Sequence, residues 1–154
     1  MPMSPTVRTC LSDAGVEYEL VRHPHSHSST ETAQIAAIPG DQLAKTILLE
    51  DEQGYIGAVL PSTHHLRLPK LWDQTGRRLS FADESDIREV FKDCELGAIP
   101  PLCTAYGMKT LMDESLSTQP DIYFEAGDHE TLIHMRTEQF MRLMEHAEKG
   151  HFSK

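Results

Sequence analysis

Leu43-Ala44-Lys45-Thr46-Ile47-Leu48-Leu49 is the stretch that most restricts what this chain can fold into. Its near-continuous apolar run is that of a strand covered on both faces. Asp51-Glu52-Gln53-Gly54 behind it reads as a turn into a partner strand, Tyr55 to Leu60, so a two-stranded ribbon is predicted within a sheet. Lys45 is out of place in that ribbon. Burying an unpaired ammonium is expensive. Lys45 therefore either sits on the exposed face of a half-buried strand or faces a cleft where its charge meets a ligand.

The flanking segments give the element order. Ser4-Pro5-Thr6 followed by Val7, Leu11 and Ala14 predicts an N-capped amphipathic helix stopping at Gly15. The alternation of Val16, Tyr18 and Leu20 against Glu17 and Glu19 predicts a half-buried strand over Val16 to Val21. His23 to Ser29 has no periodicity and reads as a loop. Ser28 to Glu31 is a capping-box pattern opening a helix through Ala33, Ala36 and Ala37, closed by Pro39-Gly40. Beyond the ribbon, Ser62 to Trp72 reads as a loop into a short helix, Arg78 to Phe81 as a short strand, and Asp83 as the cap of a helix through Ile87, Val90 and Phe91. Thr110 to Met112, Ile122 to Glu125 and Glu130 to Met135 are strand candidates. Thr137-Glu138 opens a last helix, with Phe140, Met141, Leu143 and Met144 on its apolar side, that frays at Gly150. This order predicts an α/β chain, a mixed sheet flanked by helices.

At 154 residues the chain is one ordinary domain, with a core large enough to need neither disulfides nor a structural metal. Cys10, Cys94 and Cys103 are odd in number and form no CxxC pair, so neither a disulfide framework nor a cysteine-rich zinc site is expected. No run is long and apolar enough to span a bilayer, and the first residues lack a signal-peptide pattern, so the expected location is the cytoplasm. A formal net charge of -10 argues against a general nucleic-acid binder. A local basic patch built from Lys45, Arg67, Lys70, Arg77, Arg78 and Lys109 remains compatible with it.

Leu96-Gly97-Ala98-Ile99-Pro100-Pro101-Leu102 is apolar, glycine-led and double-proline, a composition that suits neither a helix nor a central strand. It reads as a rigid loop. Such a loop either connects elements or holds a small polar group by main-chain bonds while leaving little room for anything bulky. His129, in the turn after Gly127-Asp128, is either a solvated turn residue or a group that orients a polar ligand. Among nine histidines, His23, His25 and His27 alternate and His64-His65 are adjacent, but neither spacing is that of a known zinc site. Patterns for a serine hydrolase elbow, a P-loop or a dinucleotide fold are missing. A cysteine nucleophile has no supporting motif.

Taken together, Leu43 to Leu49, Gly97-Ala98-Ile99-Pro100-Pro101, Tyr106 to Ser115 and Tyr123 to His134 resemble the YbaK/EbsC family, which shares its domain with the editing insertion of bacterial prolyl-tRNA synthetases. The resemblance runs from about residue 30 to residue 143, within a single domain spanning 1–154. It implies an α/β domain with a barrel-like mixed sheet. It also implies metal-independent, cofactor-free hydrolysis of the ester in a mischarged aminoacyl-tRNA, acting in trans, commonly on tRNA(Pro) carrying alanine or cysteine. The implied partners are the acceptor end of the tRNA and a synthetase. On the same footing, Lys45 is the catalytic cation that engages the tRNA 3′ end and helps hold the ester. Gly97, Ala98, Ile99, Pro100 and Pro101 form the loop that fixes the aminoacyl group, and His129 is a pocket residue near it. The attacking group is a water or a group of the substrate. The alternative is a non-catalytic module that binds a tRNA 3′ end, a nucleotide or another small anion.

Overall fold

The computed structural model of the chain describes residues 3–154. Helix α1, Pro5–Ala14, is capped by the Ser4 hydroxyl, which accepts from the Val7 N–H, and ends at Gly15 in the left-handed conformation, as its sequence predicts. Strand β1 is Glu19–Arg22, shorter and later than the alternation suggests. Its facing is also reversed, because Val21 packs inward against Ala33, Leu43 and Leu132 while Leu20 is 47% exposed. The physical reason is position: β1 pairs on one side only, at the edge of the sheet, where no layer covers its outer face. Helix α2, Ser29–Ile35, has Ser28 as its cap, accepting from the Glu31 N–H.

The predicted ribbon is present as β2, Leu43–Asp51, and β3, Gly54–Pro61, antiparallel with Lys45 opposite Leu60. Helix α3 is Leu68–Thr75, with Pro69 in its first turn, where no hydrogen bond is lost. Strand β4 is Ser80–Phe81, and α4 is Glu84–Val90 behind a reciprocal Asp83–Asp86 capping box. Strands β5, Lys109–Asp113, β6, Asp121–Glu125, and β7, Thr131–Arg136, complete the predicted set. The last helix is short: α5 spans Thr137–Leu143. The expected run to Gly150 is replaced by strand β8, Glu148–Gly150, which lies parallel to β5.

The strands form one mixed sheet in the order β1-β7-β6-β2-β3-β5-β8, with β4 added on β2. Period-two alternation divides it into two buried faces. Ala44, Val59, Met112, Phe124, Ile133 and Met135 pack against Val7 and Leu11 of α1 and Phe140 of α5. On the opposite face Leu43, Tyr123 and Leu132 meet α2, while Leu49, Ile56, Ala58 and Leu111 meet Leu71 of α3. Lys45 belongs to this second face, in step with Leu43, Ile47 and Leu49.

One polar contact fixes the edge strand. His134 of β7 stacks on Tyr123, their ring centroids 4.4 Å apart, and bonds Glu19 of β1 through Nδ1 and Asp121 of β6 through Nε2. Burial pulls the imidazole pKa down, and the hydrogen bonds to Asp121 and Glu19 more than reverse it, so it lies above the ordinary histidine value. The stabilisation is then full below the unfolded value of about 6.5 and is lost as pH rises through the raised folded value. Hydrogen exchange at the β1 amides, corrected for intrinsic rates, should speed up as pH is raised above about 6.5. The effect should be absent in His134→Gln.

Candidate active site

The site lies in a gap of the sheet. Strands β2 and β6 run parallel for only two register pairs, Leu43 with Tyr123 and Ala44 with Phe124. Further along the same edge, β4 takes over at Leu49 and Glu50. Between them, from Lys45 to Leu48, this edge of β2 has no strand partner. Ala44, Lys45 and Thr46 line a cavity of about 270 Å³ there, together with Glu125 at the end of β6, Ile87 of α4, Gly97 and Ile99 of the glycine-proline loop, and His27-Ser28-Ser29.

Lys45 is a cleft residue. Its ammonium donates to the carbonyls of His64 at 2.6 Å and Ser62 at 3.3 Å, and burial lowers its pKa. An ammonium has three donors, so one remains for a ligand. The same side chain borders a second cavity of about 480 Å³ lined by Thr30, Ala33, Gln34, Ile38, Gly40, Ser62, Thr63 and His65. Lys45 thus stands between two compartments.

The loop after α4 is irregular throughout, as its composition predicts. Gly97 lies at φ 81°, a conformation that favours glycine, and a Cβ there would stand 3.1 Å from the His129 ring and 3.1 Å from the His27 carbonyl. Gly97 and Ile99 line the cavity, whereas Ala98, Pro100, Pro101 and His129 do not. Ala98, Pro100 and Pro101 are buried behind the loop and hold it in place. The Ala98 N–H is engaged by the Glu95 carbonyl at 3.1 Å. Among the described residues the Gly97 and Ile99 N–H groups donate to no protein acceptor.

His129 supports that loop from beneath. It is buried, with a backbone φ of 58° made possible by Asp128, whose carboxylate accepts from the N–H groups of Glu130 and Thr131 and from the Thr131 hydroxyl. Nε2 of His129 donates to the Leu96 carbonyl, and the ring lies against Gly97. The histidine segment docks on the same turn: the His23 N–H donates to the Glu130 carbonyl at 2.9 Å and the Ser26 N–H to the His129 carbonyl at 3.2 Å. Of its histidines, His23 is buried, His25 lies edge-on to His27 and His129, and His27 reaches the cavity. No three His, Cys, Asp or Glu side chains among the described residues converge as metal ligands.

Glu125 is the residue that sequence reasoning missed. It is 3% exposed, neither carboxylate oxygen has a hydrogen-bond partner, and burial pushes its pKa up to about 7, with a smaller downward pull from the Thr32 hydroxyl and an upward one from Asp128. The signal was an acidic residue ending an otherwise apolar strand. Other sequence candidates lie elsewhere. Arg77 is held by Asp51, Lys109 pairs with Glu148, and Arg78 lies over Trp72, so these three cations of the predicted patch are engaged by other groups. The buried Cys94 and Cys103 thiols are pushed up to about 12 by burial, which makes them poor nucleophiles. A groove of about 930 Å³ between α1 and α5 holds none of the predicted site residues.

The chain is thus an α/β domain with helices on both faces of a mixed sheet, opened at one strand edge by a cavity that holds a lysine, a glycine-led loop and a buried carboxylate. Residues 23–143 match the aminoacyl-tRNA editing domain, and the chain belongs to that family. No curated protein matches it. Solved structures share the fold. A protein described as a candidate trans-editing enzyme for prolyl tRNA synthetase superposes with a TM-score of 0.84 at 21% identity over 99% of both chains. A hypothetical protein gives 0.85 at 16% identity over 97% of this chain and 99% of its own. A candidate signal transduction protein from Marinobacter aquaeolei VT8 gives 0.79 at 22% identity, with 99% of this chain covering 31% of that one.

The Gly97 geometry makes a direct prediction. Gly97→Ala forces a positive φ on alanine and a close contact with His129, and should lower stability by about 1–2 kcal/mol in urea denaturation. His129→Ala, which removes the contacted ring and the bond to Leu96, should reduce the further loss caused by Gly97→Ala in a double-mutant cycle.

Proposed function

We propose that the protein is a trans-editing hydrolase that deacylates a mischarged aminoacyl-tRNA, with tRNA(Pro) carrying alanine or cysteine as the favoured substrate. The observation that carries this reading is the cavity shared by Lys45 and the Gly97 to Ile99 loop within a chain of the editing-domain family. The reading also takes the reaction to be metal-independent and the protein to be cytoplasmic.

Ester hydrolysis in such a cavity needs three things. The tRNA end must be held, the acyl group must be fixed, and the carbonyl oxygen must meet donors as it gains charge. Lys45, fixed by two carbonyls with one donor free, supplies a cation for the 3′ end beside the ester. The unengaged N–H groups of Gly97 and Ile99 are the donors for the developing oxyanion. Pro100 and Pro101 bring no N–H, and their buried rings keep the loop from adapting to a larger acyl group. Neither buried thiol is suited to attack, so the nucleophile is a water or a hydroxyl of the substrate. Size selection in one pocket yields only about 1–3 kcal/mol per methylene, which is why a second, hydrolytic sieve is useful after synthesis.

The test is deacylation of a panel of Ala-, Cys- and Ser-charged tRNAs by wild type and Lys45→Ala. Wild type should hydrolyse at least one, the variant should be slower by about 10²–10³-fold, and a chelator should leave the rate unchanged. Equal rates in the two proteins would remove Lys45 from the mechanism. Binding of the panel without turnover would identify a non-catalytic module for the tRNA 3′ end.

A further inference from the structure

We propose that the Glu125 carboxylate is the recognition site for the free α-ammonium of the acyl group, so that the cavity selects an unblocked amino acid over an N-acylated or α-hydroxy acid of the same size. This inference rests on the deacylase reading for the identity of the ligand, and on Glu125 itself for the chemistry.

A buried carboxylate is normally paired or richly hydrogen-bonded, because leaving it bare forfeits its hydration with nothing in return. Both oxygens of Glu125 are bare and buried. The groups around it do not remedy this. Lys45 lines the same cavity from the neighbouring strand, yet its ammonium is held by Ser62 and His64, and among the described residues it forms no ion pair. His27 reaches the cavity from the segment before α2, and its aromatic contact is with His25. Asp128, from the β6–β7 turn, adds a second negative charge. Thr32 of α2 shares its hydroxyl with Ser26. The Thr46 hydroxyl, on the cavity wall, is also buried without a partner. The cavity therefore offers the Glu125 carboxylate from β6 and the Thr46 hydroxyl and Lys45 cation from β2.

An aminoacyl ester has the complementary layout. Its α-ammonium carries three N–H donors and a positive charge, and the ester with its nearby phosphate is the electron-rich end. The strand register brings the two groups into one cavity: Glu125 and Lys45 are the residues that follow the last β2–β6 pair, Ala44 with Phe124, and both lie on the face of Leu43 and Tyr123, one from each strand. With the ammonium on Glu125, the ester falls toward Lys45 and the Gly97–Ile99 loop. A blocked amine, as in peptidyl- or formylaminoacyl-tRNA, brings no charge to Glu125 and adds bulk where the strands converge. A substrate hydroxyl in place of the amine brings one neutral donor.

The experiment measures binding, separately from turnover. Three non-hydrolysable amides of 3′-amino-3′-deoxyadenosine are compared by calorimetry: the L-alanyl, the L-lactyl and the N-acetyl-L-alanyl derivatives. Wild type should bind the alanyl compound about ten- to a hundredfold more tightly than the other two. Glu125→Gln, close in shape but neutral, should lose that preference, while Lys45→Ala should weaken binding and keep it. Equal affinity for alanyl and lactyl compounds in wild type, or the absence of measurable binding to either, overturns the inference without any variant having to fold. So does a preference that survives in Glu125→Gln. Hydrolysis of alanyl-tRNA and lactyl-tRNA at equal rates, with equal binding, would leave the deacylase standing and remove Glu125 from recognition. A preference for the amine with no ester hydrolysed would do the reverse.

Discussion

The two-pair parallel ladder between β2 and β6 is the constraint on which the site depends. It joins the β1-β7-β6 half of the sheet to the β2-β3-β5-β8 half, and it stops early because β6 turns back into β7 at Gly127-Asp128 while β2 continues to Asp51. A strand edge with unpaired polar groups inside a domain has to be covered or has to receive something. Three segments close around this one. The Glu95 N–H donates to the Gly127 carbonyl at 2.8 Å, the Ser26 N–H donates to the His129 carbonyl, and α4 brings Ile87. They roof the gap without filling it, which leaves a walled cavity at a break between strands.

Charge inside that cavity is arranged rather than neutralised. Mutual attraction between Lys45 and Glu125 would raise the pKa of the lysine and lower that of the carboxyl. Both shifts run the other way, and burial is the leading cause of each. The two groups are partly desolvated and form no ion pair among the described residues, one tethered to the β3–α3 connection and the other left bare. A dipolar ligand gains from both ends, because the charges it meets have already lost part of their hydration. The net charge of -10 leaves few cations, and two of them, Arg77 and Lys109, are engaged by Asp51 and Glu148.

Much of the fold was legible because local chemistry and tertiary role agreed. The Ser4 and Asp83 caps, the Gly15 stop and the turn at Asp51 to Gly54 each name one conformation, and all are present. Errors fell where context decides. The Val16 to Val21 alternation does not say which face an edge strand buries, and the register with β7 turned Val21 inward. Past Met144 the helical pattern runs on, but Glu148–Gly150 pairs with β5, a contact no local signal announces. In the site, Lys45 and Gly97 stood out as a cation and a glycine in apolar surroundings. Glu125 did not, because an acidic residue at a strand end reads as a solvated one until the His27 segment, α2 and α4 are placed around it.

His129 shows how a motif residue shapes a cavity that it does not line. A histidine with positive φ in an aspartate-held turn looks suited to touching substrate, yet its ring is turned under Gly97 and its Nε2 is committed to the Leu96 carbonyl. The approach is close enough that a Cβ would crowd the ring at 3.1 Å, and the absence of that one Cβ lets the loop lie against the β6–β7 turn. The buried Pro100 and Pro101 rings hold the loop from the other side. The wall of the cavity is thus set by parts that do not line it: a histidine below, two prolines behind, and the Asp128 carboxylate that fixes the histidine. Selectivity by such a wall is a property of its rigidity, and it resides in these supports as much as in Gly97 and Ile99 themselves.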